Sequence, residues 1–142
     1  MADTHSPQVR SYNMSRIRSS NTKPEETVRK YLFSKGFRFR KNDKRYPGRP
    51  DIVLPKYKTI IFVHGCFWHC HAGCPDFVLP KSNHDYWKEK LERNRNRDCE
   101  NIEKLRNSGW RVIVVWECEI RKFVCYERLE RLYVEIINIF LK

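Results

Sequence analysis

Between His64 and Cys74 the chain places six potential metal ligands in eleven residues, in the run His64-Gly65-Cys66-Phe67-Trp68-His69-Cys70-His71-Ala72-Gly73-Cys74. A loop of this composition has no periodic apolar face, so something other than core packing must hold it. Zinc takes four N or S donors in a tetrahedron, and short spacings let one loop supply two or three of them. A distant Cys usually completes such a site. Cys118, just past the apolar run Trp110–Trp116, is well placed; Cys99 and Cys125 are rivals. Reduced thiols packed as small hydrophobes are the ordinary alternative, but that suits scattered cysteines better than a cluster with His between them. If four protein ligands close the site, the ion is structural.

Charge defines the expected partner. The chain of 142 residues carries 29 Lys and Arg against 17 Asp and Glu, a net +12 with pI near 9.6. An excess this large on one domain-sized chain points to a polyanion, most often nucleic acid. At 40% hydrophobic and 13% aromatic residues the chain is too rich in core formers to be disordered. No apolar run approaches the ~20 residues of a membrane span, and the N-terminus lacks a signal-like apolar stretch, so no membrane and a reducing, cytoplasmic setting are expected.

There is no internal repeat or low-complexity tract. Residues 1–20 read as a basic arm, and 21–142 as a single domain. Thr22-Lys23-Pro24-Glu25 has the Thr-x-x-Glu spacing of a helix start, with Pro in the first turn. Val28, Tyr31 and Leu32 form its apolar face and Gly36 its stop. Phe37–Arg40 alternates like a half-buried strand. Asp51–Leu54 and Thr59–Val63 predict two strands apolar on both faces, as in a covered sheet. Asn83 begins a long polar helix or helix pair ending near Gly109. Trp110–Trp116 predicts another strand. Leu129, Leu132, Tyr133, Ile136, Ile137 and Phe140 form the stripe of a terminal helix. The order α-β-β-β-α-β-α predicts an α/β fold, a mixed sheet flanked by helices.

Pro50-Asp51 follows a basic turn and opens a strand. A carboxylate at a sheet edge can hold Mg²⁺ against a phosphate, although the pair alone is more often a turn. In Mg²⁺ nucleases of the Pro-Asp…(Asp/Glu)-x-Lys kind the next strand brings a second carboxylate and a Lys. Here Phe62 and His64 stand in those places, so this is either not such a site or a modified one, in which a backbone carbonyl such as that of Val63 replaces the missing ligand and a His carries the proton. Phe67 and Trp68 in a polar loop, and Trp87 in the basic helix, suit stacking on bases or wedging between them; covering the metal loop is the plainer alternative. The helix over 86–106 is partly a solvated, self-paired face. Its more basic N-terminal half is the expected phosphate contact.

The pieces Arg10-Ser11-x-Asn13-Met14-x-x-Ile17, Thr22-x-x-Glu25, Pro47-Gly48-Arg49-Pro50-Asp51, Ile61-Phe62-x-His64-Gly65-Cys66-Phe67-Trp68-His69, Trp87-x-Glu89-Lys90, Gly109-Trp110-Arg111-Val112 and Val115-Trp116-Glu117-Cys118 occur in one order over residues 8–120. Together they resemble the very-short-patch repair (Vsr) endonucleases. The resemblance implies a restriction-endonuclease-like fold with a structural zinc loop. It also implies nicking of duplex DNA on the 5′ side of the T in a T·G mismatch left by 5-methylcytosine deamination, giving a 3′-hydroxyl and a 5′-phosphate.

By the same resemblance Asp51 is the Mg²⁺ ligand with the Val63 carbonyl, and His69 is the general acid/base. Glu25 and His64 order water and the scissile phosphate. Phe67, Trp68 and Trp87 form a wedge from the major groove, Met14 approaches from the minor groove, and Lys90 and Asn94 contact DNA. Cys66, His71, Cys74 and Cys118 hold zinc. Two residues, Ala72 and Gly73, separate His71 from Cys74 where the family has one, which leaves Cys70 as the alternative ligand. A monomer acting on double-stranded DNA with a T·G mismatch, with a functional link to a cytosine-5 methyltransferase and mismatch-repair proteins, completes the expectation. A non-cleaving mismatch-binding module and a restriction-type nuclease on matched DNA are the rival readings.

Overall fold

The computed structural model describes residues 22–121 and 124–138. The predicted arm with Met14, and Phe140, lie outside the described residues. The elements are α1 (Lys23–Ser34), β1 (Arg40–Lys41), β2 (Ile52–Leu54), β3 (Thr59–His64), α2 (His84–Asn107), β4 (Arg111–Trp116) and α3 (Cys125–Ile137). Short 3₁₀ turns at Pro55–Tyr57 and Glu117–Ile120 join β2 to β3 and follow β4. The sheet runs β1-β2-β3-β4. β1–β2 and β2–β3 are antiparallel, whereas β3–β4 is parallel, so the long polar stretch between them is the crossover that parallel neighbours require. The fold is therefore mixed α/β, and α2 is one continuous helix rather than a pair.

Strand alternation sorts the side chains onto two faces. Ile61, Val63, Ile113 and Val115 meet Val28 and Leu32 of α1 and Leu129, Leu132 and Ile136 of α3. Ile60, Phe62 and Val112 meet Leu105 on the other face, with Ile102 and Trp110 packed beside them. This is the covered sheet that the two-faced apolar strands predict.

α1 begins where the spacing predicts: the Thr22 hydroxyl accepts from the Glu25 N–H, and Pro24 sits in the first turn. It ends at Gly36, whose φ of +93° suits a residue without Cβ. The strand predicted over Phe37–Arg40 shrinks to Arg40–Lys41. The Phe37 N–H is spent on the Leu32 carbonyl (3.1 Å), closing α1 rather than joining a ladder. Its ring turns into the core between Tyr57 and Tyr133, at 5.1 and 5.8 Å.

α3 is pinned to the sheet by polar groups as well. Arg111 donates to the carbonyls of Glu135 and Ile136 at the end of that helix, where carbonyls lack intrahelical partners.

Ile61 is fully buried at the centre of the sheet. Ile61→Ala is expected to lower unfolding free energy by about 3 kcal/mol, read from the urea midpoint at unchanged m-value.

Candidate active site and metal cluster

β2 pairs with β3 only from Thr59 to Ile61, while β3 continues to His64 alongside β4. Beyond Ile61 one edge of β3 is therefore open. Asp51, just before β2, fills it: the Val63 N–H donates to Asp51 Oδ2 at 2.6 Å. In an extended strand a residue's N–H and C=O leave the same edge, so the Val63 carbonyl faces the same opening. A pocket of about 180 Å³ lies there, lined by Glu25, Asn42, Gly48, Arg49, Asp51, Phe62, Val63, His64, His69 and Asp98.

The pocket wall is tight at Gly48. With φ +80°, a Cβ there would lie 3.1 Å from the Phe62 ring and 3.2 Å from Asn101. Glu25 reaches in from α1 and pairs with Arg29 at 2.6 Å, both withdrawn from water. Burial pushes the Asp51 carboxyl up to about 7; the Val63 N–H opposes the rise and Glu25 adds to it. Two carboxylates and a main-chain carbonyl are hard oxygen donors, and a divalent cation there would offset the repulsion.

His64 and His69 stack face to face, 3.9 Å apart and 7° from parallel. Burial, with His69 alongside, pushes His64 down to about 3, so its ring is neutral at physiological pH. His69 Nδ1 lies 2.5 Å from Asp98 Oδ2 of α2. That contact fixes the tautomer and leaves Nε2 for the pocket. Asp98 is a site residue that sequence reading missed. It was counted among the self-paired charges of the helix, and nothing in its spacing ties it to His69. His64, His69 and Asp98 also bring donor atoms within 4.8 Å of one another.

The second cluster draws together Cys66, His71, Cys74 and Cys118, whose ligand atoms all lie within 4.8 Å of one another. Cys118 Sγ is 3.4 Å from His71 Nδ1, and the His71 ring stacks on Trp116 at 4.0 Å. Trp116 donates its N–H to Glu119 Oε1 at 2.8 Å, shaping the turn that carries Cys118. Cys70 turns away, its thiol donating to the Leu91 carbonyl at 3.3 Å. Cys99 is exposed on α2, and neither it nor Cys125 joins the four-residue group. Burial pushes the Cys66 thiol up to about 12 and raises that of Cys118, so loading a cation there releases protons. Three thiols and an imidazole are a donor set for a tetrahedral metal ion.

The aromatics sit together. Ring centroids of Phe67–Trp68, Phe67–Trp87 and Trp68–Trp87 are 5.2, 5.7 and 5.9 Å apart. Phe67 and Trp68 are less exposed than a polar loop suggests, and the packing is that of the cluster named above as the plainer alternative. Phe67 and Trp68 are half-buried and Trp87 is buried, because each shields the others. Lys90 lies 5.6–5.7 Å from the centroids of Trp87 and Trp68. The Asn94 amide donates to the Trp68 carbonyl at 3.4 Å, which ties the loop to α2.

A half-buried carboxylate beside an open strand edge, with an Asp-oriented His lining the same small pocket, is a donor set that suits phosphodiester hydrolysis. The comparisons with known proteins specify it. The family model described as DNA mismatch endonuclease Vsr matches residues 2–74. The type II nicking enzyme V.NmeAIP of Neisseria meningitidis serogroup A is 55% identical over 137 residues, covering 96% of this chain and 97% of its own. The type II nicking enzyme V.XorIIP of Xanthomonas oryzae pv. oryzae is 52% identical over 120 residues, covering 84% and 88%. The DNA mismatch endonuclease Vsr of Escherichia coli K12 is 43% identical over 121 residues, covering 85% and 77%. The chain belongs to the Vsr family of DNA mismatch endonucleases. It is thus a DNA endonuclease, and DNA is its partner. Among the described residues no helix is long and apolar enough to cross a membrane.

Two measurements test these sites. In the folded protein the Asp51 carboxyl titrates near 7, against an ordinary 3.8. The wild type therefore loses stability as pH rises between those values, and an amide escapes that loss. In Mg²⁺-free buffer at pH 8, Asp51→Asn should melt above the wild type by about 3 °C, roughly 1 kcal/mol in a domain of this size. The gap should close as pH falls towards about 4. Elemental analysis should find one tightly held ion per chain, lost in Cys118→Ser with a lowered melting temperature and kept in Cys99→Ser.

Proposed function

We propose that the protein nicks one strand of duplex DNA on the 5′ side of the T in a T·G mismatch, by Mg²⁺-dependent hydrolysis, and so starts very-short-patch repair. The observation that carries this reading is the adjacency of two groups joined by the loop after β3, which gives His69 to the Asp51–His64–His69–Asp98 pocket and Phe67 and Trp68 to the cluster with Trp87. Membership of a mismatch endonuclease family supports it, and relatives named as nicking enzymes favour a single-strand cut. We further assign a restriction-endonuclease-like fold to residues 21–142, a DNA-contacting arm to 1–20, monomeric action in the cytoplasm, and a functional link to a cytosine-5 methyltransferase and mismatch-repair proteins.

Asp51 and the Val63 carbonyl would hold the Mg²⁺. When bound, it neutralises charge on the phosphate and makes water a better nucleophile. His69 takes the proton of the attacking water at Nε2, while Asp98 keeps Nδ1–H in place. A bond forms from that water oxygen to phosphorus. The bond from phosphorus to the 3′ oxygen breaks and the leaving oxygen gains a proton, giving a 3′-hydroxyl and a 5′-phosphate. Neutral His64 offers one hydrogen bond to the phosphate without competing for the proton. Glu25, held by Arg29, orders water beside Asp51. Zinc held by Cys66, His71, Cys74 and Cys118 is structural: it pins the far end of the loop on which His69 and the aromatics sit.

Mismatch preference follows from deformability. A T·G wobble stacks poorly, so inserting Phe67 and Trp68 costs less of the few kcal/mol that unstacking takes. Trp87 backs that wedge, and Lys90 is set for a neighbouring phosphate.

The test is a strand-resolved nicking assay on matched T·G and T·A duplexes in pooled sequence contexts, with Mg²⁺ or EDTA. The expected result is a cut only in the T strand, only at T·G and only with Mg²⁺. Equal cutting of T·A would instead favour a restriction-type nuclease. Asp51→Ala and His69→Ala should each slow nicking by more than about a thousandfold while retaining T·G binding. Phe67→Ala with Trp68→Ala should cut the T·G over T·A preference by about tenfold or more.

A further inference from the structure

The pocket holds one charged group that the roles above leave unused. Among the described residues lining it, Arg49 is the only Arg or Lys. It is exposed, and among the described residues no carboxylate pairs with its guanidinium. This is not for want of acids nearby. Glu25 is taken by Arg29 at 2.6 Å, Asp98 by His69 at 2.5 Å, and Asp51 accepts from the Val63 N–H at 2.6 Å. Each carboxylate of the pocket is held by another donor, and the exposed Arg49 guanidinium, with no carboxylate paired to it among the described residues, is available to an anion from outside.

The backbone points the same way. Arg49 has φ +47°, in the left-handed region, directly after Gly48 at +80°. A residue with a Cβ costs about 1 kcal/mol or more there, and glycine would not. The turn is held by the Arg49 N–H donating to the Tyr46 carbonyl at 3.1 Å, and Gly48 is wedged against Phe62 and Asn101. Asn42, also left-handed at φ +50°, lines the same pocket. Asn takes that region readily, but a long charged side chain held there where glycine would fit more cheaply marks Arg49 as a candidate functional residue.

We infer that Arg49 is a phosphate clamp: its guanidinium grips the non-bridging oxygens of the phosphate that is cut, across the pocket from Asp51 and His69. A planar fork with paired N–H donors matches two phosphate oxygens. Negative charge on those oxygens grows as the water oxygen bonds to phosphorus, so the contact strengthens towards the transition state. Arg49 is then a catalytic residue in its own right, and the inference rests on the nuclease reading of the pocket.

The test compares wild type, Arg49→Gly and Arg49→Lys on one labelled duplex. Single-turnover nicking is followed in Mg²⁺ at saturating protein, affinity for the same duplex is measured in Ca²⁺, and melting temperature is recorded. Glycine relieves the strain, so Arg49→Gly should melt at or above the wild type. Its nicking rate should fall about a hundredfold, the scale of losing one transition-state donor, while affinity weakens by less than about tenfold. Arg49→Lys, with the charge but not the fork, should recover only part of the rate, and free guanidinium ion should partly rescue Arg49→Gly. An Arg49→Gly rate within about threefold of wild type at saturation would overturn the inference, as would full activity in Arg49→Lys. If the wild type cuts T·A as well as T·G, the mismatch reading fails, yet the Arg49 comparison still stands on whichever duplex is cut.

Discussion

The site depends on a difference in strand length. β3 runs on for three residues after β2 has stopped, and a carboxylate takes the place of the missing strand. The Asp51 contact to the Val63 N–H satisfies a main-chain donor that would otherwise be orphaned at an open edge. It also sets a charged oxygen beside an available carbonyl. Burial cost at this position is considerable, as the raised Asp51 titration shows. Such a cost is the mark of a site built for function, and a cation and a phosphate in the opening would offset it under the proposed reading.

α2 is the ruler for everything else. Trp87, Leu91, Asn94, Asp98 and Asn101 recur at helical spacing, and each receives a different part of the site. Trp87 packs on Phe67 and Trp68, and the Leu91 carbonyl takes the Cys70 thiol. Asn94 bonds the Trp68 carbonyl, Asp98 holds His69, and Asn101 crowds Gly48. A rigid helix thus fixes the distance from aromatic cluster to hydrolytic pocket. The Cys66–His71–Cys74–Cys118 cluster clamps the other side of the same loop to the end of β4. The loop has no strand or helix of its own, yet it is held at both flanks.

Much of the architecture was legible because it rests on local periodicity. The two-faced apolar runs at Ile52–Leu54 and Thr59–Val63 could only be covered strands. Thr22, Pro24 and Gly36 bracket α1 by capping and backbone freedom alone. Clustered Cys and His announced a metal loop. The failures were equally physical. Phe37–Arg40 alternates like a strand, but helix closure by Leu32 consumed the Phe37 N–H first. Phe67 and Trp68 read as exposed because they sit in a polar loop, but packing against each other and Trp87 leaves them half-buried.

What the sequence determined by itself was the set of parts: the class of fold, the basic character that selects DNA, the Cys- and His-rich loop and the carboxylate before a strand. These follow from residue type and short spacing, which act within a few residues of chain. What only the tertiary structure decided was the pairing of those parts. Asp98 with His69, Arg29 behind Glu25, Cys118 rather than Cys99 or Cys125 in the cluster, and Arg49 with no carboxylate paired to it among the described residues all depend on how α1 and α2 lie over the sheet. Contacts between residues distant in the chain, and charges whose partners are already taken, are set by packing. No local pattern carries them.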